Sequence, residues 1–366
     1  MENGKWKMEN EKMKMGRWMV WGLVILMVAS CCKEGIGEEG NNGNSETILV
    51  SFSIGTPASD EVEYTRATQD ASETRINSLT VYDFLVTDKD TLFESVQYLV
   101  EAGDGATTPK AGQFLHTDAG ATACLSLHAP KNTTHVFAFV ANEEKTHFDS
   151  IIYKKTLPMD SLRWTAATRK LKDGGDCGSL VGDKGAVMTG NTVPLNLPGD
   201  LSDTDKMKVK LYRIVARVDV KNEVADTQDL VIENVSARNC APMGYLFEWS
   251  SSGTPTAEKR PKGYTAPIAM TRNPAVTTGD LQSLKKGQTC GKVLYLYEYP
   301  TTETLIPTLI LTYTLNGVSG TMEVEMTSGG KRINIKRNRK YTLVVGGSST
   351  TRVVCSVESN ETTENE

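Results

Sequence analysis

The feature that most restricts the fold of this chain is a long series of short β-type segments separated by turn residues. Runs rich in β-branched and aromatic residues occur at 48–54, 78–86, 135–142, 193–197, 208–224, 229–239, 291–300, 304–317, 321–326 and 340–345. Charged and apolar residues alternate in Lys208-Val209-Lys210-Leu211, which is the period of a strand with one buried face. Helical periodicity is scarce, with 145–157 the better candidate and 280–286 the poorer one. The pattern predicts an all-β fold built from Greek-key sandwiches.

The length of the chain indicates more than one β-domain. A single core rarely grows beyond roughly 250–300 residues, and this chain has 366. The polar stretch PGDLSDTDK at 198–206 is the natural boundary. We therefore expect an N-terminal domain over 47–205, a C-terminal domain over 206–358 and a polar tail over 359–366.

The first 30 residues have the layout of a signal peptide. Five basic residues lie within 5–17, and 18–30 is a 13-residue stretch without charge. A membrane-spanning helix needs about 20 apolar residues, so this stretch is too short to remain as an anchor. A basic region followed by a short apolar one predicts a cleaved leader over 1–30, with Met1 or Met15 as the start.

The leader ends in a motif that predicts lipid attachment. Val28-Ala29-Ser30-Cys31 resembles the bacterial lipobox, an aliphatic residue and two small ones before the modified cysteine. Cys31 is the expected lipidation site, and the adjacent Cys32 is a bystander. The following residues, up to position 46, are polar and glycine-rich and are typical of a flexible tether. These features predict a surface-exposed lipoprotein of the cell outer membrane.

Composition and motifs exclude several classes of function. The formal net charge of −5 leaves no surplus of cations for a nucleic-acid partner. The four histidines do not stand in a metal-ligand spacing, and neither a G-x-S-x-G elbow nor a P-loop occurs. We therefore expect no catalytic residues, no metal and no cofactor.

Five cysteines remain beyond the leader, and they are far apart in sequence. They are Cys124, Cys177, Cys240, Cys290 and Cys355. The spacing does not fit a zinc site. Both buried free thiols and one or two disulfides in an exported protein are consistent with it.

Four segments, taken in chain order, have the character of known motifs. An arginine-containing loop is expected before a strand in TRATQDASETRINSLTVYDFLV (65–86), and the N-terminal domain has a predicted strand ending FVAN (139–142). LYRIVARVDV (211–220) is a basic and aliphatic segment that contains R-x-x-A-R. INIKRNRKYTLVV (333–345) contains I-x-R-N, and RVVCSVE (352–358) is a predicted last strand with a cysteine. Together these segments resemble the fimbrillins, type V pilus subunits of Bacteroidetes-type bacteria, in which the third segment opens the second domain and the fourth ends it before a last, cysteine-containing strand.

The resemblance implies a fold and a mode of assembly. Fimbrillins are exported as lipoproteins and have two tandem transthyretin-like β-sandwich domains. An arginine-specific surface protease cuts a loop after the first strand, and removal of that strand opens a groove for a strand of another fimbrial subunit. In this chain the removed strand would be 48–54, with cleavage between Arg66 and Ala67. Arg75 lies nearer the next strand and is expected to be less accessible.

Two alternatives remain for this region. Arg66 can be an ordinary solvated loop arginine. The 48–54 segment can be a permanent strand, as in anchor subunits that are not processed.

The end of the chain bears on the position of the subunit in a fimbrium. Val353, Val354 and Val357 are the residues expected to act as a donor strand. They are followed by a polar tail, whereas polymerising members continue with apolar residues. Stalk, tip and anchor roles therefore all remain open.

A surface glycan-binding lipoprotein is the alternative function. Its candidate stacking residues are Trp164 and Trp249.

Overall fold

A computed structural model describes residues 45–56, 71–117, 120–130, 132–143, 159, 170–181, 185–246, 266–298, 305–328, 330–347 and 352–359. The strands, in chain order, are β1 Ser45–Gly55, β2 Leu79–Val86, β3 Thr91–Glu101, β4 Gln113–Thr117, β5 Gly120–Pro130, β6 Thr133–Ala141, β7 Gly175–Asp176, β8 Met188–Asn191, β9 Leu195–Leu197, β10 Lys208–Lys210, β11 Tyr212–Arg213, β12 Val215–Asn222, β13 Leu230–Cys240, β14 Ile268–Thr271, β15 Thr289–Tyr297, β16 Thr308–Leu315, β17 Val318–Glu325, β18 Thr327–Ser328, β19 Lys331–Arg332, β20 Lys340–Gly347 and β21 Val353–Ser359. The prediction of an all-β fold is confirmed.

Helical structure is short wherever it is described. Within the described residues, α1 spans Ala71–Thr74 and α2 spans Thr278–Gln282, Met159 is also helical, and two 3-10 turns span Gly178–Leu180 and Gly199–Ser202. A capping box starts α2, because the Thr277 hydroxyl accepts a hydrogen bond from the Asp280 amide at 3.2 Å while the Asp280 carboxylate accepts one from the Thr277 amide. The other helix expected from the sequence, 145–157, lies outside the described residues.

The first sandwich is formed by one long, folded-over sheet. Its strand order is β10-β1-β5-β4-β3-β2-β6-β8-β11, with β9 also paired to β6. Strand β3 joins the two halves, because it pairs antiparallel with β2 and, at Val100 and Glu101, parallel with β4. The halves pack face to face, and Phe52 of β1 contacts Phe137 and Phe139 of β6 with ring centroids 5.2 and 5.1 Å apart.

Strands β2 and β6 are buried on both faces. One face of β6 lies in the sandwich core, and the other carries Val136 and Ala138, which pack with Tyr82 and Phe84 of β2. Leu246, from the second half of the chain, is part of the same cluster. Burial on both faces explains why these two strands read as nearly continuous apolar runs rather than as an alternation.

The second sandwich consists of a four-stranded and a five-stranded sheet. Their strand orders are β15-β12-β20-β21 and β17-β16-β13-β14-β7, and β18 pairs separately with β19. Val218 and Leu343 from the first of these sheets share a core with Leu309 and Leu311 from the second. Buried and less buried residues alternate along β16 and β20, as the sequence pattern predicts for strands with one inner face.

The chain passes between the two sandwiches more than once. β10 and β11 lie in the sheet of the first sandwich, and β12 begins the second one immediately afterwards. Earlier in the chain, β7 already pairs with β14 of the second sandwich, and Cys177 lies in that core. The boundary expected at 205/206 stays a prediction, while the strand pairing itself changes over between Arg213 and Val215.

Across the described ranges, no helix is both long enough and apolar enough to cross a membrane.

Candidate functional site at the first strand and the domain junction

Strand β1 is inserted deeply into the first sandwich. It pairs antiparallel with β5 along its whole length, from Ser45 opposite Pro130 to Gly55 opposite Gly120. Alternate residues point into the core, and these are Ile48, Val50, Phe52 and Ile54. The alternation in the sequence therefore corresponds to a strand with one buried and one exposed face.

The second edge of β1 is paired over only part of its length. Within the described chain, the strand on that side is β10, which pairs parallel with Ser53, Ile54 and Gly55. The Ser53 amide donates to the Met207 carbonyl at 3.0 Å, and the Leu211 amide donates to the Gly55 carbonyl at 2.8 Å. β1 is thus held by a complete ladder on one side and a short one on the other.

The glycine opposite the end of β1 permits a close backbone approach. A Cβ atom on Gly120 would lie 2.1 Å from the carbonyl oxygen of Ile54. Gly120 also has φ +149°, which residues with a side chain rarely adopt. Glycine is therefore required where β1 and β5 end their pairing.

The four segments that carry the fimbrillin resemblance meet where the two sandwiches join. In the first segment, Glu73 of α1 is buried and accepts from Arg213 Nη1 at 3.2 Å and Arg217 Nη1 at 3.1 Å, both in the third segment. Arg213 Nε in turn donates to Asn338 Oδ1 in the fourth segment at 3.1 Å. The resemblance therefore falls on one polar cluster as well as on strands.

The second carboxylate oxygen of Glu73 accepts from a tyrosine. Tyr295 Oη donates to Glu73 Oε1 at 2.6 Å. Burial, and then the charge of the neighbouring Glu73 carboxylate, raise the pKa of Tyr295, so the hydroxyl keeps the proton that it donates. Arg217 also binds Asp219 through two hydrogen bonds of 2.8 Å, which fixes its guanidinium plane.

The second segment contributes Asn142, which directly follows β6 and has φ +65°. Its Nδ2 donates to the carbonyl of Arg75 at 2.7 Å and to that of Ala186 at 2.8 Å, and its Oδ1 accepts from the Asn77 amide at 2.7 Å. The Arg75 side chain is exposed, and its expected lower accessibility relative to Arg66 stays a prediction because Arg66 lies outside the described residues. Its backbone, however, is held by Asn142, and the next residue, Ile76, is buried in the first core.

A further arginine of the fourth segment crosses the junction. Arg337 is buried, and its Nη2 donates to Glu298 Oε2 at 2.6 Å. It also donates to the carbonyls of Tyr245 and Leu246 at 3.0 and 3.1 Å. Leu246 packs with the first sandwich, so Arg337 helps to hold the two halves together.

The predicted donor residues lie within the chain's own second sandwich. β21 pairs antiparallel with β20 at the edge of its sheet. Val353 and Val357 are buried in the second core, whereas Val354 is 53% exposed. β21 is therefore part of the second sandwich of its own chain.

Several predicted residues lie outside the part of the chain that the structure describes. They are Cys31, Arg66, Ala67, Trp164 and Trp249.

The cysteines from position 124 onward are all free thiols. Burial raises the pKa of Cys177 to about 12, of Cys290 to about 11 and of Cys355 to about 12, and burial also raises the pKa of Cys240. Of the two alternatives left open by the sequence, the structure has the free thiols.

The described residues contain no group of three or more His, Cys, Asp or Glu side chains arranged to hold a metal ion.

Glu73 and Tyr295 were missed from the sequence. Glu73 stands in a polar stretch that reads as an ordinary loop, and Tyr295 reads as a core aromatic. The available signal was the pair Arg213 and Arg217 beside buried aliphatic residues, because a buried arginine requires an anionic partner.

Solved structures provide the comparison for this fold, since no protein-family model and no curated protein matches the chain. A fimbrial assembly protein from Parabacteroides distasonis is 12% identical, with TM-score 0.50, and the match covers 86% of this chain and 96% of that one. A candidate cell adhesion protein from the same species is 17% identical, with TM-score 0.49, and covers 87% and 96%. The tip fimbrial protein Mfa3 from Porphyromonas gingivalis, solved with a truncated C terminus, is 16% identical, with TM-score 0.48, and covers 86% and 99%. The expected likeness to fimbrial proteins is thus confirmed at the level of structure, and this chain shares the fold of a fimbrial assembly protein of Parabacteroides distasonis.

Proposed function

We propose that this protein is a structural or accessory subunit of a cell-surface fimbrium that supports adhesion. It is exported as a lipoprotein and joined to other fimbrial subunits by strand exchange after proteolysis. The observation that carries this proposal is the position of β1. It is the first described strand, it fills the first core with alternate apolar side chains, and it precedes Arg66 in the chain.

Loss of β1 would create a binding site for an extended segment. The β5 backbone groups now paired with Ser45–Gly55 would lose their partners, and such an edge is a template for another strand. The space left by Phe52 would be bounded by Phe137 and Phe139. A strand with apolar residues at every second position fits this groove by β-augmentation.

The free energy gained by burying the apolar side chains of β1 should keep this strand bound after cleavage alone. Ile48, Val50, Phe52 and Ile54 are buried, and each contributes roughly 1.5–3 kcal/mol, or about 6–12 kcal/mol together. That sum is comparable with the whole stability of an ordinary domain, about 5–15 kcal/mol. The strand leaves when an incoming strand replaces its contacts, which couples processing to assembly.

The role within the fimbrium depends on β21. To donate Val353, Val354 and Val357 to another subunit, the chain must first withdraw Val353 and Val357 from its own core. A subunit that keeps β21 in place accepts a strand but does not donate one, and so ends a fibre. Donation on both sides gives head-to-tail contacts that do not close and therefore a filament.

Cys31 is the proposed lipid anchor. Cleavage between Arg66 and Ala67, followed by the departure of β1, separates the subunit from it. An uncut chain remains tethered to the outer membrane and can serve as an anchor.

Limited proteolysis of the full chain with an arginine-specific protease tests the processing step. We expect a stable product that begins at Ala67 and still holds the cut fragment with residues 45–55 by non-covalent contacts. This fragment should be released when a peptide with alternating apolar residues is added. The Arg66→Ala variant should resist this cut, and Arg75→Ala serves as the matched control that is still cut. A product that keeps 45–55 in the presence of the peptide, or rapid digestion of the whole first sandwich, would contradict strand exchange.

Electron microscopy of cells with and without the protein tests the cellular role. Loss of fibres on deletion indicates a stalk subunit, and fibres of altered length or adhesion indicate a tip or anchor subunit. Unchanged fibres and unchanged adhesion would contradict the proposal.

A further inference from the structure

The segment 71–76, which leads into β2, is fastened to the second sandwich. Glu73 is 4% exposed and is bound by Arg213, Arg217 and Tyr295 at 2.6–3.2 Å. Tyr295 belongs to the four-stranded sheet of the second sandwich, whereas the chain around Glu73 leads into β2 of the first. One carboxylate therefore bridges both halves of the molecule.

The charges of the guanidinium and carboxylate groups in this cluster are balanced. Two guanidinium groups, of Arg213 and Arg217, face the carboxylates of Glu73 and Asp219. The side chains of Glu73 and Asp219 are 5% and 4% exposed, so water does not screen their attraction to the guanidinium groups. Removing one partner of such a buried set leaves an uncompensated charge, which is strongly destabilising.

The bond between Arg75 and Ile76 lies directly beside this cluster. The Arg75 side chain is exposed and acceptable to an arginine-specific protease. Its carbonyl is bound by Asn142, and Ile76 is 1% exposed. A protease needs several residues on both sides of the cut in an extended, accessible form, so cleavage at Arg75 requires residues 73–77 to leave their sites.

We propose that Glu73 is a lock that protects the bond between Arg75 and Ile76 from proteolysis by holding the segment 71–76 against the second sandwich. Glu73 acts as a positioning residue, because it determines which arginine bond opens without contacting the protease. The biological purpose of the lock rests on the proposed function. After cleavage before Ala67, the lock would keep the segment 71–76 in place when β1 departs. The protection of the Arg75 bond follows from the contacts themselves.

The rate of cleavage at Arg75 tests the lock. The full chain, its Glu73→Gln variant and its Tyr295→Phe variant are digested with an arginine-specific protease, and mass spectrometry follows the product that begins at Ile76. Since cleavage of a locally opened segment follows the population of the open form, we expect this product to appear roughly 100-fold faster in Glu73→Gln. Tyr295→Phe removes a single hydrogen bond and should give a smaller increase, roughly 5-fold.

Glu101→Gln is the matched control. Glu101 also pairs with a basic group, His116, at 3.2 Å, but its side chain is half exposed and lies away from the cluster. Cleavage at Arg75 should stay at the wild-type rate in this variant. Equal rates in wild type and Glu73→Gln would overturn the lock, because Asn142 and Ile76 would then suffice.

Two further measurements distinguish the loss of the lock from a general folding defect, and a failure of the lock from a failure of the proposed function. Amide hydrogen exchange at residues 73–77, measured without protease, should accelerate in Glu73→Gln while exchange in β16 stays slow. Acceleration throughout the chain would contradict a local lock. The proposed function is judged by the product that begins at Ala67, so it can fail while the Ile76 product still behaves as expected, and the reverse also holds.

Discussion

Phe52 and Phe139 meet edge to face in the centre of the first sandwich, with ring centroids 5.1 Å apart and an angle of 74° between the ring planes. Phe52 belongs to β1, the strand proposed to leave, and Phe139 belongs to β6, which would remain and line the groove. Truncating Phe52 to alanine removes this contact, and we expect a loss of about 3–5 kcal/mol of unfolding free energy. Urea unfolding followed by circular dichroism measures it. Leu49→Ala, at a side chain of the same strand that is 59% exposed, should change stability by less than about 0.5 kcal/mol.

Gly120 should not tolerate a side chain. In Gly120→Ala the new methyl group would overlap the Ile54 carbonyl, so β1 and β5 must separate at that end. We expect about 1–3 kcal/mol of destabilisation. Gly103→Ala is the control, because nothing lies within 4 Å of the added atom. A melting temperature equal to wild type in Gly120→Ala would contradict the close approach.

Arg337 should be among the most sensitive charged residues of the junction. Arg337→Met removes the buried guanidinium that binds Glu298 and the carbonyls of Tyr245 and Leu246, and we expect a loss of about 3–5 kcal/mol. Arg238→Met breaks an ion pair with Glu323 in which both side chains are about half exposed, and it should lose less than about 1 kcal/mol. Chemical unfolding of the two variants side by side makes the comparison. Similar losses in both would argue against a buried junction.

Alkaline pH should destabilise the protein through its buried thiols. Burial raises the pKa of Cys177 from 9.0 to about 12, so the folded state holds this proton more tightly than the unfolded state does. The resulting stability is complete below about pH 9 and is lost as the pH rises from about 9 to 12. Thermal unfolding between pH 7 and 11 should show this decline, and Cys177→Ala should show a shallower one. A melting temperature that falls equally in both would assign the decline to other groups.

The fold was predictable where burial produces a clear sequence period. β1 and β20 alternate apolar and polar residues, and the ends of both lie within three residues of the expected positions. β3 was missed because most of its residues are only partly buried, so no clean alternation exists. β5 was missed because its inner face carries the small residues Ala121 and Ala123, which have weak strand preference.

The candidate site was predictable for its strands but not for its polar contacts. The resemblance pointed to the segments around Arg213 and Asn338, yet the sequence does not say which carboxylate Arg213 meets. Glu73 lies 140 residues before it, and such a contact is set by the packing of two sandwiches rather than by local preference.

The pairing of β1 between β5 and β10 also sets the order in which the chain can acquire its structure. The partner on one side is available once residue 130 has been made, but the partner on the other side follows almost 80 residues later, at 208–210. A chain that is still being synthesised therefore carries an incomplete first sheet until residue 210 has been made, and sequence-distant pairing of this kind is slow. Any fragment that ends before residue 208 will lack that edge, so folding of the first sandwich should require synthesis well into what reads, by sequence, as the second.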